Sequence, residues 1–179
     1  MSANRIARAS AEEPIVLGVD PGTRVVGYGA VAAARRGPRY LACGVIRAPA
    51  KLPVPERLAR IRRALDELLA ELRPNVVVVE SVFAGRNVRS ALRIGEGRGL
   101  ALAAAAERGC EVVEYAPAVA KKALVGNGAA SKHQVRAMVR VVLRLEEDPG
   151  SDDATDALAL AIAYVHRMGM LDAVRRARR

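Results

Sequence analysis

NVVVVE (75–80) decides how this chain reads. A run of four valines is a strand buried on both faces, because β-branched side chains pack well on a pleated surface and neither side meets water. The run ends on a carboxylate, Glu80. A second short apolar run, IVLGVD (15–20), ends the same way, on Asp20. In open α/β sheets, ligands gather beyond the carboxyl ends of the strands. If the two strands are parallel neighbours, their terminal acids meet across the gap.

Outward from this pair the periodicity changes twice. After Asp20, PGT forms a turn, with proline fixing φ and glycine permitting positive φ. RVVGYGAVAA (24–33) and RYLACGVIRA (39–48) read as strands, joined by a hairpin turn at RGP (36–38). With the first strand they form an antiparallel meander. VPERLARIRRALDELLAELR (54–73) then sets Leu58, Ile61, Leu65, Leu68 and Leu72 at helical spacing. The valine strand follows, then an Ala- and Gly-rich helix over 88–108, a fifth strand CEVVEYA (110–116), and helices over 131–145 and 151–168. Ser131 is a natural N-cap. The order predicts an α/β fold: a mixed five-stranded sheet with helices on both faces. Residues 1–13 read as a flexible extension, 14–169 as one domain, and 170–179 as a basic tail.

The last helix adds further acids. Asp153 and Asp156 are three apart and share a face; Asp152 and Asp156, four apart, do so almost as well. Periodicity leaves the choice between Asp152 and Asp153 open. The helix beyond them, ALALAIAYV, is apolar enough to pack against the sheet. Carboxylates aimed into such a packing site repel one another unless a cation lies among them, and Mg²⁺ favours carboxylate oxygens, water and phosphate. Acids converging from two strand ends and a helix suit a two-metal phosphodiesterase, with two ions about 4 Å apart clamping the scissile phosphate. One ion would activate water and the other would stabilise the leaving 3′-oxygen.

Composition sets limits on this. The 179 residues carry a formal net charge of +10, which suits a polyanionic partner, although an Ala- and Arg-rich chain can also owe that charge to genome base composition. The two cysteines, Cys43 and Cys110, lie far apart and form no C-x-x-C pair. Residues 1–13 lack the apolar core of a secretory signal, and no stretch matches a membrane span, so a cytoplasmic protein without membrane contact is expected.

GVDPGTRVVGYGAV, VVVVESVFAGRNVRSALRIGEGRG, EVVEYAPAVAKKALVGNGAASKHQV and DDATDALALAIAYVH, in this order, closely resemble the RuvC-type Holliday junction resolvases, crossover junction endodeoxyribonucleases. The resemblance runs from about residue 15 to residue 166. It implies an RNase H-like fold over 14–169 and a homodimer that nicks four-way DNA junctions in symmetric pairs. It also implies use of Mg²⁺, two ions per site with Mn²⁺ able to substitute, and partnership with the RuvA–RuvB branch-migration complex. Carried over by motif, the catalytic and metal-binding acids are Asp20, Glu80, Asp153 and Asp156, which settles the choice at 152/153. Phe83 matches an aromatic that meets a base at the junction centre, and Lys121 and Lys132 match basic positions that handle DNA.

The residues support these roles independently. Phe83, the chain's sole phenylalanine, sits in a Gly- and Arg-containing loop just past Glu80, where it could stack on an unpaired base. Lys132 opens a helix beside the loop VGNG (125–128), and both features suit phosphate contact. Arg86, Arg89, Arg93 and Arg98 could track backbone phosphates, and the small residues of GEGRGLALAAAA could admit a helix of a second subunit.

Three other readings fit less of the chain. D-x-G-T after a strand also occurs in sugar-kinase and actin-like ATPases, but those need a second related domain. A non-catalytic DNA-binding protein would leave four acids on a DNA-facing surface. A YqgF-like nuclease shares the D-P-G-T start but leaves the Phe83 region and the VGNG–Lys132 segment unexplained.

Overall fold

The computed structural model describes residues 13–81 and 88–177. Its elements are β1 (Ile15–Asp20), β2 (Val25–Ala34), β3 (Gly37–Arg47), α1 (Val54–Leu72), β4 (Val76–Glu80), α2 (Val88–Glu107), β5 (Glu111–Tyr115), α3 (Pro117–Val125), α4 (Lys132–Leu143) and α5 (Asp152–Ala177). The sheet order is β3-β2-β1-β4-β5. The three N-terminal strands form the expected antiparallel meander, and β1 pairs parallel with β4, as β4 does with β5.

Side-chain alternation divides the core between two faces. Val16, Val76 and Val78 pack on one face with Leu158, Ile162 and Val139. Leu17, Val19, Val77 and Val79 pack on the other with Ile61, Leu65 and Ala104. The all-valine strand is therefore buried on both sides, with Val77 to Val79 at 1% exposure or less. Helices cover both faces: α1 and α2 on one, α3, α4 and α5 on the other.

Helix α5 lies directly on the backbone of the sheet. A Cβ added at Gly18 would come 1.9 Å from the Ala157 carbonyl oxygen, one at Gly27 would come 2.1 Å from that of Asp153, and one at Gly29 would come 2.6 Å from the Leu158 nitrogen. Gly18 pairs with Gly29, and Asp20 with Gly27. These glycines remove the side chains that would hold the helix away, so its first turn comes down beside the end of β1. With α3 and α4 packed on its outer side, α5 is buried nearly all round from Ala157 to Ala163.

The structure departs from the expected elements in three places. The hairpin turn is Arg35–Arg36 rather than 36–38; Ala34 pairs with Gly37, which takes φ +112° as the chain re-enters the sheet. Helix α3 falls between the expected strand 110–116 and the expected helix 131–145, in a stretch to which the sequence assigned no element. Helix α5 runs on to Ala177, so most of the expected basic tail continues the helix. Ser131 caps α4 as expected: its hydroxyl accepts from the Gln134 N–H, and the Gln134 side chain accepts from the Ser131 N–H, completing a capping box. Among the described residues no helix is long and apolar enough to cross a membrane.

Candidate active site

Strand parity aims the two strand-end acids. Asp20 shares its side of β1 with Val16 and Gly18, and Glu80 shares its side of β4 with Val76 and Val78, so both carboxylates face α5. Val19 is in register with Val79, so Asp20 and Glu80 stand at adjacent ends of parallel strands. Ser151 begins the approach of α5, its hydroxyl accepting from the Ala154 N–H at 3.1 Å. That places Asp153 and Asp156 in the first turns, above the glycine platform.

A cavity of about 380 Å³ opens there, and Asp20, Glu80, Asp153 and Asp156 all line it. Lys121 of α3 and Lys132 at the start of α4 line it too. Asp152, the neighbour that periodicity could not separate from Asp153, is exposed outside the cavity.

The electrostatics follow from this crowding. Burial, followed by the charge of Glu80, pushes the Asp20 carboxyl up to about 8, with Asp156, a hydrogen bond to Glu80, and Asp153 adding to the effect. Asp156 is also raised, chiefly by burial, against the opposing pull of Lys132 and Lys121. Among the described residues no three His, Cys, Asp or Glu side chains stand close enough to form a finished metal cage. The acids instead line the walls of an open cavity. The donors that face one another are carboxylate oxygens, a hard-cation set without sulfur or imidazole, and they hold negative charge that a cation would relieve.

Matches to known proteins run over nearly the whole chain. The family model described as crossover junction endodeoxyribonuclease RuvC matches residues 16–164. The chain belongs to the RuvC family. A RuvC from Alkalilimnicola ehrlichii is 48% identical over 164 residues, covering 92% of this chain and 98% of the relative. The solved structure of Thermus thermophilus RuvC in complex with a Holliday junction substrate superposes with a TM-score of 0.81 at 37% identity, covering 88% of this chain and 96% of that one. The yeast mitochondrial Holliday junction resolvase shares the fold, with a TM-score of 0.66 at 16% identity. The RNase H-like fold expected from the sequence is the fold of these RuvC structures.

Other expected residues are placed differently. Phe83 and Arg86 lie outside the described residues. The chain leaves β4 at Ser81, which also lines the cavity, its N–H bonded to the Tyr115 carbonyl at 2.9 Å. Arg98 is ion-paired with Glu114 of β5, whereas Arg93 is exposed. In the small-residue stretch of α2, Gly97 rests on the Gly22 backbone and Ala101, Ala104 and Ala105 are core residues, so that face serves the monomer. Gly95 and Gly99 have open space beside them.

Sequence reasoning missed an ion-pair chain at the cavity rim. Lys132 Nζ donates to Asp152 Oδ2 at 3.1 Å, and Arg136 donates to Asp152 Oδ1 at 2.6 Å and to both oxygens of Asp148 at 3.2 Å. Its signal was present in the spacing, since Lys132 and Arg136 are four apart on one helix face.

Proposed function

We propose that this chain resolves Holliday junctions by metal-dependent phosphodiester hydrolysis, as a homodimer nicking two strands symmetrically. The observation that carries the reading is the convergence of Asp20, Glu80, Asp153 and Asp156, from two strand ends and a helix, on one cavity with two lysines. Family membership brings divalent-metal dependence, and Mg²⁺ is the ion we assign. Mg²⁺ keeps much of its water and takes only one or two carboxylates from a protein, which suits open walls better than a closed cage. When bound, two such ions would supply an activated water and charge neutralisation at the departing oxygen.

The protein's own residues have distinct tasks in this scheme. Asp20 and Glu80, fixed by strand register, and Asp153 and Asp156, fixed by the seating of α5, would hold the ions. Lys121 and Lys132, which line the same cavity, would meet the phosphate there, each ammonium acting as a point charge. Phe83 follows Glu80 by three residues in the sequence, and its assigned role is to stack on a base at the crossover. Arg86 on the same connection would contact backbone phosphate. A two-fold dimer would present two such sites to strands of like polarity. The protein would act in the cytoplasm, with the RuvA–RuvB complex supplying the junction.

The test compares a synthetic four-way junction, a linear duplex and an RNA–DNA hybrid, each with Mg²⁺ and with EDTA. Paired nicks confined to the junction and abolished by EDTA are expected. Hybrid cleavage, or junction nicking that persists in EDTA, would refute the assignment.

A further inference from the structure

The first turn of α5 carries adjacent acids that face different ways. Asp153 lines the cavity, whereas Asp152 is exposed at the rim. Asp152 has both oxygens engaged, Oδ2 by Lys132 and Oδ1 by Arg136. Arg136 is itself anchored on Asp148, whose Oδ1 also accepts the Gly150 N–H at 2.8 Å. Asp152 is thus tied through Arg136 to the connection between α4 and α5, and a carboxylate held this way is a fixed anion.

Lys132 lies between two carboxylates. Its Nζ is 3.1 Å from Asp152 Oδ2 and 4.0 Å from Asp156 Oδ2. An ammonium on a flexible four-carbon stem follows the nearest available anion. Without Asp152, the next anion within its reach is Asp156, and an ammonium seated on that carboxylate competes with a metal ion for it.

We propose that Asp152 is a positioning residue that keeps the Lys132 ammonium off Asp156, leaving that carboxylate to metal while the lysine stays at the cavity mouth for phosphate. The inference rests on the assignment of Asp156 as a metal ligand. It gives Arg136 and Asp148 a part as well, since they keep Asp152 from following the lysine inward.

Mn²⁺ titration of the full-length protein without DNA, read as free-ion electron paramagnetic resonance, tests it on the wild type, Asp152→Ala, Asp152→Glu, Lys132→Ala and the Lys132→Ala/Asp152→Ala double variant. Asp152→Ala is expected to weaken Mn²⁺ binding about tenfold, the lower end of what losing an outer-shell partner costs, and Asp152→Glu to keep most of the affinity. The double variant is expected to bind as tightly as Lys132→Ala, because no ammonium remains to be misplaced. Asp152→Ala binding within twofold of wild type would overturn the proposal. So would a double variant that loses as much relative to Lys132→Ala as Asp152→Ala loses relative to wild type, since Asp152 would then act only as added negative charge. A wild type that binds no Mn²⁺ would instead refute the metal assignment on which the proposal stands.

Discussion

Asp20 retains its proton at a pH where an ordinary aspartate has lost it, because burial and the neighbouring acids push its carboxyl up to about 8. The folded state then binds that proton more tightly than the unfolded chain, where the ordinary value is 3.8. The stabilisation is complete below the unfolded value and is lost as pH rises through about 8. The protein in EDTA should therefore melt lower at pH 8 than at pH 5. Asp20→Asn should flatten that decline and raise the melting temperature at pH 8 by about 4 °C, the shift that 1–2 kcal/mol produces in a domain of this size. Thermal melts of both proteins across that range check this, and parallel curves would contradict it. Arg57 shows a different principle at the same scale. It is buried, at 6% exposure, because its guanidinium donates to the Ala50 and Leu52 carbonyls of the loop before α1. Helical periodicity carries no sign of a buried arginine there, since that loop contact depends on tertiary structure.

The elements show which signals the sequence carried and which it did not. The strands were legible because Val16 to Val19 and Val76 to Val79 alternate between two covered faces, and the acids at their ends were legible because an acid closing such a run has no packing role. The glycines of β1 and β2 were harder to interpret, because their purpose lies in another element. Gly18, Gly27 and Gly29 make room for α5, and that close approach brings Asp153 and Asp156 to the strand ends. Gly18→Ala should cost about 3 kcal/mol as overpacking and should reduce nicking beyond what the lost folded fraction explains, because the helix carrying two of the acids is displaced. Calorimetry and single-turnover nicking would measure the two effects, and a variant unchanged in both would contradict this seating of α5. Helix α3 escaped detection because its nine residues, PAVAKKALV, bury only Ala120 and Leu124, too few to reveal a period. It nevertheless delivers Lys121 to the cavity. The hairpin was misplaced because Gly37–Pro38 resembles a turn, whereas the pairing of Ala34 with Gly37 leaves the turn to Arg35–Arg36.

At the scale of the whole molecule, a net charge of +10 surrounds a cavity dense in acids. The positive surface draws a polyanion in, and the negative pocket would receive the scissile phosphate only with cations between them. In the proposed scheme binding and chemistry are therefore separable, binding resting on the basic surface and hydrolysis on the carboxylates. The measurement that tests this most directly is junction binding and junction nicking, side by side, for Asp20→Asn and Glu80→Gln in Mg²⁺. Both variants should bind a four-way junction about as tightly as wild type, since neither substitution touches the basic surface, while their nicking rates fall by 10³-fold or more, on the order of several kcal/mol of transition-state stabilisation. Nicking within tenfold of wild type by either variant would contradict the assignment of these acids as the metal-holding catalytic group.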